Sequence, residues 1–108
     1  TTPIINFFND SGLEVEKVAS FLEPSDYVVA RISEDSVAAG VRDLANSDCE
    51  AVFVSCTSLR SFGIVADLEQ ELGKPIVSSN LAISWHLLRL AGVEDTFNDF
   101  SQLFRRQL

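Results

Sequence analysis

Cys56, Thr57 and Ser58 stand together in the stretch AVFVSCTSLRSF, residues 51 to 62, where apolar, β-prone side chains give way to hydroxyls and a helix-like pattern. A thiol at a strand end can act as base, nucleophile or proton donor if a substrate is held against it in a positive local potential. A helix beginning just after Cys56 would supply that potential, because its first N–H groups lack intrahelical partners and its dipole is positive there. Such an end binds carboxylates and raises the thiolate fraction of a neighbouring sulfur. Thr57 and Ser58 are then either caps for that helix or hydroxyl donors to a substrate oxygen. Arg60, in the expected first turn, is a further candidate partner for an anion, with a solvated or structural role equally open.

A plainer reading of Cys56 stands beside this one. Free cysteine is among the most buried residue types and packs as a small hydrophobe, so position alone leaves the buried residue and the reactive thiol both open. Cys49 has no such placement and reads as structural. An extended strand would hold Cys49 and Cys56 about 23 Å apart at about 3.3 Å per residue, far beyond the roughly 7 Å a disulfide tolerates. Two unpaired thiols fit a reducing, cytoplasmic setting.

The other chemistry-bearing residues give weaker patterns. His86, the single histidine, lies in a helical pattern beside Trp85 and reads as a surface or supporting residue. No second histidine is present to build a zinc site, and Cys49 and Cys56 lack metal-ligand spacing, so no metal is expected. The five glycines form no phosphate-cradling loop, and no serine sits in a Gly-x-Ser-x-Gly turn. Nucleotide binding and serine hydrolysis both fall behind.

The elements that must position Cys56 follow from periodicity. Leu13, Val15, Val18, Ala19 and Leu22 predict a helix over 13–22, broken before Pro24. The β-branched run 26–32 predicts a buried strand, followed by a polar turn at Ser33 to Asp35 and a helix over 36–45 with Ser33 or Ser36 as N-cap. Residues 49–55 predict a second strand, buried on both faces. Ile64, Leu68 and Leu72 predict a helix over 60–73 that stops on Gly73. Pro75 opens a third strand, 75–79, and Leu81, Trp85, Leu88 and Ala91 predict a helix over 80–92. In the tail, 93–108, Phe97, Phe100, Leu103 and Phe104 have roughly helical spacing, as in a segment that docks on a neighbour.

Strand alternating with helix predicts an α/β fold in three layers, a mainly parallel sheet with helices on both faces. Ligands of such folds sit at the carboxyl ends of the strands, where this chain has SCTSLR and SSN. The 108 residues make one domain at most, and 8 Lys plus Arg against 16 Asp plus Glu give a net charge of −8. That charge argues against a nucleic acid or an anionic membrane as partner. The longest wholly apolar run is short of the roughly 20 residues that span a bilayer.

Residues 49–92, CEAVFVSCTSLRSFGIVADLEQELGKPIVSSNLAISWHLLRLAG, strongly resemble the carboxyl-terminal half of the aspartate/glutamate racemase superfamily. The resemblance is to the branch of maleate cis-trans isomerases, arylmalonate decarboxylases and ectoine-utilisation proteins. It implies a cofactor-independent enzyme of two pseudo-symmetric α/β halves, each giving one cysteine to a site between them. Residues 1–92 would be the second half and 93–108 a docking segment, expected to be helical; the partners implied are an amino-terminal half or another subunit, and a homo-oligomer is compatible with this. Cys56 matches the second-half cysteine, and backbone groups at Thr57 and Ser58 would hold the oxyanion of a small carboxylic acid. Thr2 and Pro3 match the start of the family's Thr-Pro-Tyr substrate motif.

Two departures qualify the resemblance. Ile4 stands where the tyrosine hydroxyl would be, and no asparagine follows the run 26–32 to hold a substrate carboxylate, which weighs against maleate isomerisation in particular. Alone, the chain would lack the second cysteine and is expected to show no racemase activity. Two other classes stay open: a non-catalytic module of the same fold that binds small carboxylates and, ranked last, a thiol-based redox protein, for which no resolving cysteine lies within reach.

Overall fold

The computed structural model describes residues 2–45 and 48–108. Helix α1 spans Thr2–Asp10, α2 Asp26–Val29 and α3 Glu34–Leu44; strand β1 is Val52–Val54, α4 Val65–Leu72, β2 Ile76–Ser78 and α5 Ser79–Leu90. Short 3-10 turns occupy Phe62–Ile64 and Gln102–Arg105. The fold is α/β, with a parallel two-stranded sheet in the register Val52↔Ile76, Phe53↔Val77, Val54↔Ser78.

The amino-terminal third departs from the periodicity. The helix expected over 13–22 is absent; the helix precedes it, at Thr2–Asp10, and 13–25 is irregular. Gly12 ends α1 at φ 87°, with its amide on Asn9 O at 3.0 Å and that of Leu13 on Phe8 O at 2.9 Å. This paired closure turns the chain away from the helix axis. Beyond it, Leu13, Val18, Phe21 and Leu22 are all exposed, so the apolar stripe has no surface to bury against, and burial is what sustains a short helix.

The strand expected over 26–32 is also absent. Asp26–Val29 is one helical turn, continued by turn hydrogen bonds from Arg31 N to Val28 O and Ile32 N to Val29 O, both 3.0 Å. Val29 and Ile32, three apart, are the residues that reach the core, while Tyr27 and Val28 face solvent. A strand there would have shown alternation instead.

The elements from α3 to α5 overlap the expected ones, with the strands shorter than expected, Val52–Val54 within 49–55 and Ile76–Ser78 within 75–79. Ser33 caps α3, its Oγ accepting from Ser36 N at 3.1 Å, and Gly73 closes α4 at φ 66°. The core lies on one face of the sheet. Val52, Val54 and Ile76 meet Val37, Ala38 and Val41 of α3, Val65 and Leu68 of α4, and Leu81 of α5. On the other face Phe53 is 40% exposed, contrary to the expected burial on both faces, and is covered in part by Phe8 of α1 at 5.1 Å between ring centroids. The sheet is thus fully covered on the face of Val52, Val54 and Ile76 and only partly covered on the face of Phe53.

The tail is irregular over 93–101 and helical only in the 3-10 turn, so helical spacing there overstated the helix. Buried Glu69 accepts from Ile76 N at 3.1 Å and Gln102 N at 3.0 Å. Buried Arg89 donates to Arg106 O at 2.8 Å, Val93 O at 2.7 Å and Phe104 O at 3.0 Å. Trp85 Nε1 also reaches Arg106 O at 2.8 Å. A charged side chain out of water needs its donors or acceptors filled, and here backbone groups fill them. Phe104, with Phe62, Phe97 and Phe100 around it, seals the seam.

Candidate functional site at the strand ends

In-register pairing of Val54 with Ser78 makes the two strand ends level, so the residues that follow are neighbours despite their separation in sequence. After β1 the chain passes through Ser55 to Cys56, which is exposed and has φ 100°. A side chain in that backbone region is strained, at a cost of about 1–3 kcal/mol, and persists only where the surroundings hold it. The Cys56 amide donates to Ser79 Oγ at 3.2 Å, Asn80 Nδ2 donates to Thr57 O at 3.0 Å, and Leu59 N donates to Cys56 O at 3.3 Å.

The helix expected directly after Cys56 is not there. Residues 57 and 58 form a turn, 59 a bend and 60–61 are irregular; the first helical residues are Phe62–Ile64, and Ser61 rather than Thr57 or Ser58 precedes them. Cys56 itself, at φ 100°, lies outside the right-handed helical region, and the turn that follows is closed by Leu59 N on Cys56 O at 3.3 Å rather than by a helical bond. The helix end beside Cys56 is that of α5, which starts without a linker because Ser78 Oγ accepts from Leu81 N at 3.1 Å and caps it.

With the Cys56 and Leu59 amides engaged, those of Thr57 and Ser58 between them have no hydrogen-bond partner among the described residues. Consecutive backbone N–H groups in a turn form a concavity suited to an anion. The turn therefore brings together an exposed thiol and two available donors. Thr57 is exposed and Ser58 half-buried.

The other candidates lie elsewhere. Arg60 Nη2 donates to Ile32 O at 3.2 Å, tying the far end of the loop to the turn before α3. Thr2 and Pro3 are exposed in the first turn of α1, and no hydrogen bond among the described residues joins them to the Cys56 turn. His86 is exposed on α5 and stacks on Trp85 at 6.1 Å. Cys49 is half-buried against the core, its Sγ 3.8 Å from Lys74 Nζ. Ser79 and Asn80 had been visible as a strand end, but only the level pairing of the strands gives them a role.

Comparison with known proteins agrees with this architecture. The family model described as arylmalonate decarboxylase matches residues 2–104. Maleate isomerase of Pseudomonas putida is 28% identical over 97 residues, covering 87% of this chain and 38% of that protein. A solved structure, the Gly74Cys mutant of arylmalonate decarboxylase in its sulfate-associated form, superposes with a TM-score of 0.83 at 24% identity, over 97% of this chain and 46% of that one. The chain thus spans less than half the length of these two relatives. With its parallel strands, its carboxyl-end turn and a match over nearly its whole length, the chain belongs to the arylmalonate decarboxylase family, in the maleate isomerase and arylmalonate decarboxylase branch of the aspartate/glutamate racemase-like superfamily.

Proposed function

We propose that the protein carrying this chain is a cofactor-independent isomerase, racemase or decarboxylase that works with the Cys56 thiol at the carbon α to a carboxylate, or on an unsaturated dicarboxylate. The observation that carries the reading is the pairing of an exposed, backbone-strained cysteine with the open amides of Thr57 and Ser58. In a decarboxylase the bond from the α carbon to the departing carboxylate breaks and CO2 leaves. The electron pair passes into the remaining carboxylate as an enediolate held by the amides, and the thiol gives its proton to the α carbon. In a racemase a base on the opposite face first takes the α proton to form the same enediolate. In a maleate-type isomerase the thiolate adds to one alkene carbon, the resulting single bond rotates, and the thiolate leaves as the alkene reforms. Both routes place negative charge on oxygen in the transition state, where fixed N–H donors are most effective.

One thiol serves one face of the substrate. Racemisation would need a second, from an amino-terminal half or another subunit, with residues 1–92 as the second half of the site, 93–108 as its docking segment and the cytoplasm as its setting. Thr2 and Pro3 would reach the substrate only in that larger assembly. In the full-length protein, Cys56→Ala is expected to lower turnover of the preferred acid by about 10²–10⁴-fold, with carboxylate binding retained. Unchanged turnover in that variant would remove Cys56 from the mechanism. The second reading, a non-catalytic module for small carboxylates, is favoured by Ile4, which offers no hydroxyl. Binding of a dicarboxylate by calorimetry without turnover of any tested acid would select it.

A further inference from the structure

We infer that Ser79 and Asn80 are positioning residues for the Cys56 turn, Ser79 fixing the backbone that carries the thiol and Asn80 aiming the Ser58 amide at a bound carboxylate; this rests on the reading of that turn as an anion site. In a trans peptide the C=O and N–H point in opposite directions. Asn80 Nδ2 holds Thr57 O at 3.0 Å, so the N–H of the same peptide, that of Ser58, points away from Asn80. Leu59 N holds Cys56 O at 3.3 Å, so the Thr57 N–H points away from Leu59. Each open amide is thus aimed by the grip on its own carbonyl. Turn types I and II differ by rotation of one such central peptide, so a peptide released from its grip has another well to enter.

Ser79 acts one peptide earlier. Its Oγ accepts the Cys56 amide at 3.2 Å, so the strained residue is gripped on both sides of its Cα, by Ser79 at its nitrogen and by Leu59 at its carbonyl. Both positioning side chains sit in the first turn of α5, whose cap, Ser78, is the residue paired with Val54. The strand ladder therefore sets the height at which these side chains meet the turn. Neither residue need touch the reacting atoms.

The test compares alkylation of Cys56 by iodoacetate and iodoacetamide in the full-length protein. In both reactions the sulfur forms a bond to carbon and iodide leaves with the C–I electrons; the reagents differ in the carboxylate that the open amides would hold. Asn80→Ala is expected to lower the iodoacetate-to-iodoacetamide rate ratio about three- to tenfold, the range for losing one hydrogen bond's worth of orientation, with the iodoacetamide rate little changed. The KM for a carboxylate substrate should rise by a similar factor, with kcat affected less. Ser79→Ala should slow both reagents, and Ser79→Thr, which keeps the accepting oxygen, should restore them. Asn80→Ser guards against a folding defect in the alanine variant. An unchanged ratio in both folded Asn80 variants, or an equal fall in His86→Ala farther along the same helix, would overturn the inference. Loss of the proposed chemistry is read separately from Cys56→Ala, since the alkylation ratio needs no turnover.

Discussion

Among the described residues, two that bear side chains have left-handed backbone, Leu22 at φ 54° and Cys56 at φ 100°, and they lie in contrasting parts of the molecule. Leu22 is 87% exposed in the irregular stretch before α2, and its amide is held by Ser20 Oγ, two residues away. Cys56 is gripped by a side chain 23 residues away, on a strand end level with its own. The same kind of local strain is thus a local turn in one region and a tertiary product in the other. Residues 49–92 are mutually supporting; residues 13–25 have apolar side chains and few surfaces to meet.

The comparison can be broken most sharply in the core. Leu68→Ala, at 2% exposure, should destabilise the protein by about 2–5 kcal/mol in urea unfolding. A loss under 1 kcal/mol would mean that α4 is not the anchor of the sheet. Glu69→Gln comes next, because the amide keeps one acceptor for the Ile76 and Gln102 N–H groups and turns a donor toward the other. Its expected cost is about 1–3 kcal/mol, read from the same unfolding midpoints.

On the other side of the contrast, Leu13→Ser and Leu22→Ser should each change stability by no more than about 0.5 kcal/mol, since both side chains already face water. A cost above about 1.5 kcal/mol would show a packed surface over 13–22 and erase the distinction. The smallest effect belongs to Arg42 and Glu71, bridged at 2.7 Å on the surface. The hydrogen bond from Arg42 holds the Glu71 carboxyl below its ordinary range. Its contribution is therefore present above the unfolded carboxylate pKa and fades as pH falls through the lower folded value. Glu71→Gln should flatten that part of the acid-unfolding curve slightly, and added salt should do the same.

How legible this was in the sequence depends on whether a signal was local. Ser33 as a cap and Gly73 as a stop are written in a few neighbouring residues, and both stand where expected. The strand containing Val52–Val54 was legible from its apolar run, though not the openness of its second face. The 13–22 stripe misled because amphipathic spacing records which residues would face a core, not whether a core is present. The helix expected after Cys56 misled differently: nothing in SCTSLR signals φ 100°, because the grip that holds it comes from Ser79. The SSN motif marked a strand end; its hydrogen bonds needed the sheet register to be seen.

The left-handed backbone of Cys56 has a consequence for anyone selecting variants. Glycine is one codon letter away from cysteine and is the residue that such a backbone accommodates most easily. A screen for heat resistance alone would therefore reward Cys56→Gly while discarding the sulfur, so improvement campaigns on this scaffold must score chemistry and durability in the same round.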